Sequence, residues 1–238
     1  MAAMAKESRG EYDLVYNLES MGEASLFPQP SRKQMVQFER LADSLINLSR
    51  ERAEGSSSVV FSSTLRGEGC SFISYNIARH LSVMLGSKVV WIDGNFISPQ
   101  RRLMNGGVGF RELLRDPSRV EEIASGPNFV TIPNGEGDIK QTRLLSGSHY
   151  RNLLEALDEK FKFIIIDAPA VNESVDVGRF AQPTMGVVLV VESRRLKYEV
   201  VQHSIDSIRS QGGDVLGTVL NKQSFEIPDF IYRMFLGG

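Results

Sequence analysis

The chain has 238 residues, a formal net charge of −2 and 42% hydrophobic residues, which suits one α/β domain with a buried core and argues against a broad nucleic-acid-binding surface. Its single cysteine excludes an intrachain disulfide and fits a reducing compartment. No apolar run approaches the roughly 20 residues of a membrane-spanning helix, and the N-terminus lacks the apolar stretch of a signal peptide, so we expect a cytoplasmic protein without a membrane span.

The chain divides into a polar beginning, a long central part and an apolar end. Residues 1–33 are polar and contain Pro28 and Pro30, which predicts a tail or linker. Apolar residues at helical spacing then predict a helix over residues 34–52, the first element of a domain that extends to residue 224. Residues 225–238 are rich in large apolar side chains and form a predicted C-terminal tail that docks on its own domain or on a protein partner.

Short apolar runs alternate with helical patterns through the central part. Because these runs are continuous rather than alternating, they predict strands that are covered on both faces. The predicted strands are residues 58–61, 88–92, 128–132, 161–166, 186–191 and 214–220. The predicted helices between them are residues 71–85, 148–160, 173–181 and 196–211. This order predicts a doubly wound α/β fold, with a mainly parallel sheet of about six to eight strands flanked by helices in three layers.

A glycine-rich segment lies between the first predicted strand and the helix that follows it. It has the layout of a phosphate-binding loop, G-x-x-x-x-G-K-[ST], in which backbone N–H groups surround the phosphates and the lysine reaches the β- and γ-oxygens. Here Cys70 takes the place of that lysine, and a neutral thiol cannot supply the positive charge on which phosphoryl transfer relies. We therefore expect only residual nucleotide or phosphate binding, at the five residues Gly67, Glu68, Gly69, Cys70 and Ser71.

Two carboxylates follow predicted strands. Asp93 ends the second and Asp167 ends the fourth, and ligands of parallel sheets sit at the carboxyl ends of the strands. With the Ser71 hydroxyl they would form an Mg²⁺ site if nucleotide binds. The alternative is that both are relics that cap loops or bind water.

Cys70 itself carries a further hypothesis. A thiol at a helix N-terminus has a lowered pKa, which would make Cys70 a redox-sensitive thiolate. The alternative is a small, buried, neutral side chain.

Three short stretches in order give the chain a family resemblance. They resemble the two Walker A elements and the Walker B element of the bacterial tyrosine autokinases, the cytoplasmic kinases of capsule and exopolysaccharide export. Residues 34–224 share this resemblance, which implies a deviant-Walker P-loop NTPase fold and places Asn221 where relatives contact the adenine. The three stretches are Gly67-Glu68-Gly69-Cys70-Ser71, Val89-Val90-Trp91-Ile92-Asp93 and Ile164-Ile165-Ile166-Asp167-Ala168-Pro169.

The chain departs from the family's pattern at positions that carry chemistry. In the first Walker A element the lysine is Cys70 and the last threonine is Phe72, whose bulky ring replaces a phosphate-contacting hydroxyl. In the second, Asn95 replaces a carboxylate and Ile97 replaces an arginine. The Walker B element, ending in Asp167, is intact.

Two further departures concern assembly and autophosphorylation. The family's ring-forming motif, Glu-x-x-Arg-x-x-Arg, reads Gln37-x-x-Arg40-x-x-Asp43 here. The C-terminal tyrosine cluster is absent, since Tyr232 is the one tyrosine after Tyr198. An active autokinase would need each of the lost features, so together they indicate a pseudokinase.

The resemblance implies a catalytically defective protein with a regulatory or docking role in bacterial exopolysaccharide, capsule or adhesive biosynthesis and export. Its expected partner is the cytoplasmic part of a membrane polysaccharide co-polymerase (chain-length protein) or an active kinase, which would recruit it to the inner membrane. Homo-oligomers stay open, nucleic acid is not expected, and no cofactor is required. The alternatives are weak ATP or ADP binding with Mg²⁺ in an autokinase or ATPase that uses Lys88, Lys222 or a neighbouring subunit's lysine, and a partition-like nucleotide switch.

Overall fold

Six parallel strands form one sheet in the part of the chain that the structure, a computed structural model, describes: residues 26–51, 57–99, 108–136, 145 and 148–223. The strand order is β3-β2-β4-β1-β5-β6, so that crossovers on both sides of β1 double-wind the sheet. The predicted α/β fold with a parallel sheet is confirmed. The strands are β1 Ser58–Ser63, β2 Val89–Asp93, β3 Phe129–Ile132, β4 Phe163–Asp167, β5 Val187–Glu192 and β6 Val215–Asn221.

Seven α-helices accompany the sheet in the described residues. The four predicted helices and the one before the first strand are all present, although the helix expected over residues 173–181 begins only at Val177, because residues 171–176 form turns. The helices are α1 Arg32–Glu51, α2 Cys70–Leu85, α3 Phe110–Arg115, α4 Val120–Ala124, α5 Ser148–Asp158, α6 Val177–Ala181 and α7 Tyr198–Ser210.

The segment between β2 and β3 contains helices that the sequence patterns did not predict. They are α3, α4 and a 3₁₀ turn over Pro117–Arg119. None of them is long enough for a 3.6-residue repeat to emerge from the pattern of apolar residues. The 3₁₀ turn is started by Asp116, whose carboxylate accepts a hydrogen bond from the N–H of Ser118 at 3.2 Å.

The sheet separates two apolar cores. Alternate residues of a strand face opposite sides, so Val59 packs into one core and Val60 into the other. Every residue of β1, β2 and β4 is buried, which is why their sequences are continuous apolar runs. Strand β6 is half-exposed, because it has a single described neighbour, β5.

Helix α1 begins at a capping box. The N–H of Ser31 donates to Oε1 of Gln34 at 2.8 Å, and the N–H of Gln34 donates to Oγ of Ser31 at 3.4 Å, which satisfies two otherwise free N–H groups. The helix packs against α2 through the buried side chains Phe38, Ala42, Leu45 and Ile46.

The residues just before α1 lie on the domain. The N–H of Leu26 donates to the Tyr75 hydroxyl at 3.4 Å, and the Phe27 ring packs edge-on against Phe72 and Tyr75 at centroid distances of 6.2 and 5.3 Å. Residues 1–25 and the predicted tail over residues 225–238 lie outside the described part of the chain, and the predicted domain boundaries stay predictions. Among the described helices, none has the length and apolarity needed to cross a membrane.

Candidate functional site

The glycine-rich loop joins β1 to α2, as the sequence predicts. Gly67 and Gly69 have positive φ angles of 86° and 94°, a backbone conformation that strongly favours glycine. At Gly69 the space also demands glycine, because a Cβ there would lie 2.3 Å from Nδ2 of Asn221. The chain then enters α2 at Cys70, and the carbonyl of Gly69 accepts the first helical hydrogen bond from the N–H of Ile73 at 3.1 Å.

Glu68 and Asn221 hold this loop in shape. The buried Glu68 carboxylate accepts hydrogen bonds from the N–H of Leu65 at 2.7 Å and from the N–H of Glu192 at 3.1 Å. Nδ2 of Asn221 donates to the carbonyl oxygen of Glu68 at 2.8 Å. These two predicted site residues therefore tie the loop to β5 and β6, and neither lines the pocket that the loop forms.

Two basic side chains bind the outer face of the loop. Nζ of Lys222 donates to the Gly67 carbonyl at 2.8 Å, and a guanidinium nitrogen of Arg195 donates to the Arg66 carbonyl at 3.0 Å. Both also pair with the carboxylate of Glu192, at 3.2 and 3.1 Å. Their charges are thus bound to loop carbonyls and to a carboxylate on the side away from the pocket.

The other lysine that could substitute for the missing one is far from the loop. Lys88 precedes β2 at the amino edge of the sheet, where its ammonium donates to the Ala124 carbonyl. In a parallel sheet the loop lies at the opposite, carboxyl edge. Lys88 therefore does not reach the site, and the alternative that uses it is wrong.

A pocket of about 260 Å³ opens beside the loop. Small-molecule sites usually measure about 300–1,000 Å³, so this pocket is slightly small for a nucleotide. Arg66 crosses its rim and donates to the Ser98 hydroxyl at 2.7 Å. The lining residues are Phe27, Ser63, Arg66, Gly67, Gly69, Cys70, Ser71, Phe72, Asn95, Ser98, Ala168, Ala170 and Glu173.

The two predicted carboxylates come together at the carboxyl edge. Asp93 and Asp167 are register partners on the adjacent strands β2 and β4, and both are fully buried. Neither oxygen of Asp167 has a hydrogen bond. The hydroxyl of nearby Ser74 instead donates to the carbonyl of Ser71 at 3.2 Å.

Burial is the main cause of the shifted pKa of Asp167. It raises the pKa of this carboxyl to about 7, and the negative charge of Asp93 adds to the increase. The side chains of Ser71, Cys70 and Ser74 lie close enough to oppose the shift, without reaching hydrogen-bond geometry. Near neutral pH, Asp167 is therefore divided between its neutral and charged forms.

Asn95 has a local role in the loop that follows β2. The N–H of Asn95 donates to Oδ1 of Asp93 at 3.1 Å, and Oδ1 of Asn95 accepts from the N–H groups of Ile97 and Ser98 at 3.2 and 2.8 Å. These are Asx-type turns, which Asn and Asp both form. The Asn95 amide thus shapes the rim of the pocket and adds no charge to it.

Cys70 is buried at the start of α2. Burial raises the pKa of its thiol well above the ordinary value, and the charges of Asp167 and Glu68 raise it further. The hypothesis of a redox-sensitive thiolate is therefore wrong, because desolvation and nearby carboxylates outweigh the helix N-terminus. The thiol is neutral.

The charges around the pocket disfavour a nucleoside triphosphate. Glu173, which the sequence analysis missed, lines the pocket and has a buried oxygen, Oε2, without a hydrogen bond. Among the described residues that line it, Arg66 is the one with a basic side chain. With Asp167 beneath, carboxylates outnumber basic side chains in this described part of the pocket, so these residues do not supply the positive charge that phosphate groups need. No sequence signal marks Glu173, since it follows the Walker B element at no recognised spacing.

Comparisons with known proteins identify relatives. No protein-family model matches the chain. The chain is 26% identical over 182 residues to tyrosine-protein kinase CpsD of Streptococcus agalactiae serotype Ia, which covers 72% of this chain and 77% of that protein. It is 26% identical over 194 residues to CapB of Staphylococcus aureus (75% and 80% covered), and 26% identical over 182 residues to the succinoglycan biosynthesis transport protein ExoP of Rhizobium meliloti (69% and 22% covered).

Solved structures share the fold. The chimerical protein CapA2B2 superposes with a TM-score of 0.67 and 23% identity, over 89% of this chain and 99% of that one. The BceF tyrosine kinase domain superposes with a TM-score of 0.66 and 22% identity, over 88% of each chain. At these identities the likeness establishes a common P-loop NTPase-like fold.

Proposed function

Because the chain is homologous to the bacterial tyrosine-protein kinases CpsD and CapB, we propose that it is a catalytically defective relative of these kinases that acts as a regulatory or docking component. The observation that carries the proposal is Cys70. A buried, neutral thiol stands where a phosphate-binding loop has its lysine. The pocket keeps the shape of a phosphate loop and lacks the charge that would use it.

The missing charge accounts for the loss of catalysis. Phosphoryl transfer relies on cations that stabilise the charge developing on the transferred group. Removing one such preorganised contact typically costs about 3–4 kcal/mol, or two to three orders of magnitude in rate. In this chain Arg195 and Lys222 bind loop carbonyls on the outer face, and neither takes over the role of the lysine.

We place this role in bacterial polysaccharide biosynthesis and export. The similarity to ExoP, a succinoglycan biosynthesis transport protein, supports the pathway. The partner we propose is the cytoplasmic part of a membrane polysaccharide co-polymerase or an active kinase, which would bring this protein to the inner membrane. No cofactor is needed for such a role.

Calorimetric titration with ATP and ADP, each with Mg²⁺, tests the defect. For the natural protein we expect no heat of binding at micromolar nucleotide, because carboxylates repel the phosphates. Cys70→Lys restores an ammonium at the start of α2, and Cys70→Met is the matched neutral control. We expect any gain of nucleotide binding in the lysine variant alone.

The same titration distinguishes the rival function. Micromolar binding by the natural protein, together with Mg²⁺-dependent hydrolysis that Asp167→Asn abolishes, would establish an active ATPase or autokinase and overturn the proposal. Nucleotide-dependent dimerisation without turnover would instead establish a partition-like switch.

A further inference from the structure

Buried carboxylate oxygens without hydrogen-bond donors lie at the pocket beside the glycine loop. Asp167 is fully buried and has no hydrogen bond at either oxygen, and Oε2 of Glu173 is buried without one. Asp167 lies close to Cys70 and Ser71, both of which line the pocket. Buried carboxylate oxygens without partners are rare in folded proteins, because their desolvation is uncompensated.

Two aromatic rings line the same pocket. Phe72 projects from the first turn of α2, and Phe27 packs against it edge-on at a centroid distance of 6.2 Å. Aromatic faces attract cations through their quadrupole. Carboxylates and aromatic rings together suit an organic cation. A phosphate site instead needs hydrogen-bond donors and positive charge.

Exposed apolar side chains lie at the same edge of the sheet as the pocket. Six large apolar side chains are exposed in the described part of the chain, and all except Met84 lie near the carboxyl ends of strands, where the pocket opens. Val175 and Tyr198 are 70% and 74% exposed. Exposed apolar residues at one edge of a sheet are a feature of protein interaction sites. The other members of this group are Ile97, Val200 and Leu220.

We propose that the former phosphate pocket binds a lysine or arginine side chain that a protein partner presents from an apolar segment. The ammonium or guanidinium group would pair with Glu173, above the buried Asp167, and would lie against the rings of Phe27 and Phe72. The flanking apolar side chains would cover the exposed residues at the carboxyl edge. This inference rests on the proposed docking function and gives the chemistry of the partner.

Charge complementarity selects this occupant over an anionic one. Among the described residues that line the pocket, Arg66 is the one basic side chain, and it is already bound to the Ser98 hydroxyl at the rim. Both oxygens of Asp167 and Oε2 of Glu173 lack a hydrogen-bond donor, and lysine or arginine brings three or five N–H donors. A phosphate would add hydrogen-bond acceptors where carboxylate oxygens already lack donors.

The test uses n-butylammonium and n-butylguanidinium as probes, with n-butanol as the neutral control, added to the full chain and followed by amide NMR. We expect saturable shifts of the loop residues 66–72 and of Glu173 with both cations and none with butanol. Glu173→Gln should weaken binding about tenfold, since it removes a charged hydrogen-bond acceptor. Glu159→Gln, at an exposed glutamate of the opposite edge, is the matched control and should leave binding unchanged.

A second arm tests the apolar segment. A nine-residue peptide of leucine and alanine with a central lysine should bind more tightly than butylammonium, and its lysine-to-glutamine variant should not bind. Absence of saturable shifts with both cations would overturn the cation site and leave the proposed function standing. Mg²⁺-ATP that shifts the same amides would overturn both.

Discussion

The charged side chains at the two edges of the sheet differ in burial and in hydrogen bonding. At the amino edge an open groove of about 660 Å³ is lined by Lys88 and Lys160 among other polar residues, and both lysines have partners: the Ala124 carbonyl and, at 2.6 Å, the Glu121 carboxylate. At the carboxyl edge, both oxygens of Asp167 and one of Glu173 are buried without hydrogen bonds. Solvated, paired charge is ordinary surface chemistry, whereas buried and unpaired charge marks a site that awaits a ligand.

The glycine loop at the carboxyl edge is held in shape by several side chains. The loop that the phosphates would need is held in place by Glu68, Asn221, Arg195 and Lys222. Four side chains thus hold the loop, and the neutral Cys70 follows it at the start of α2.

Removing the Glu68 carboxylate, which holds the glycine loop, should have the largest effect on stability. Glu68→Ala removes the acceptor of two partly buried backbone N–H groups, those of Leu65 and Glu192. We expect a loss of about 3 kcal/mol in the free energy of unfolding, measured by urea denaturation. Glu68→Gln, which keeps one amide oxygen, should lose less. If the alanine variant and the natural protein were equally stable, Glu68 would not hold the loop in the way that its hydrogen bonds indicate.

Asp167→Asn should make the protein more stable at high pH. The pKa of this carboxyl is about 7 in the folded protein and about 3.9 in an unfolded chain. Between these values the native state binds more protons than the unfolded state, so the stability that Asp167 contributes is complete below pH 4 and is lost as the pH rises through 7. Asparagine does not titrate.

We therefore expect the stabilisation by Asp167→Asn to be about 2 kcal/mol larger at pH 8 than at pH 5. Urea unfolding of both proteins at the two pH values measures it. A pH-independent difference would mean that Asp167 is charged at both values and that its oxygens have partners in solution.

The smallest effect belongs to the amino edge. Lys160→Gln breaks an ion pair with Glu121 whose members are 33% and 69% exposed, and exposed pairs contribute little because water solvates both charges. We expect no measurable change in the urea midpoint. A clear destabilisation would show that the two edges differ less than the burial of their charges indicates.

Sequence reasoning located most of the fold and part of the site. The six strands were predictable because each contains a short apolar run, and the glycine loop because it directly follows one of them. The helices α3 and α4 were not, since five or six residues carry no readable period. Phe27 and Glu173 gave no signal, because nothing local distinguishes a pocket-lining residue from its neighbours.

The sequence by itself determined the strands, most of the helices and the parallel α/β class, through runs and periods that depend only on neighbouring residues, and it determined that a neutral cysteine follows the glycine loop. The tertiary structure alone decided what surrounds that residue. Chain segments far apart in sequence bring Phe27, Asp167 and Glu173 to Cys70, and their mutual burial sets the pKa of each carboxyl and thiol. The charge of the pocket depends on distances and desolvation, which no local pattern encodes.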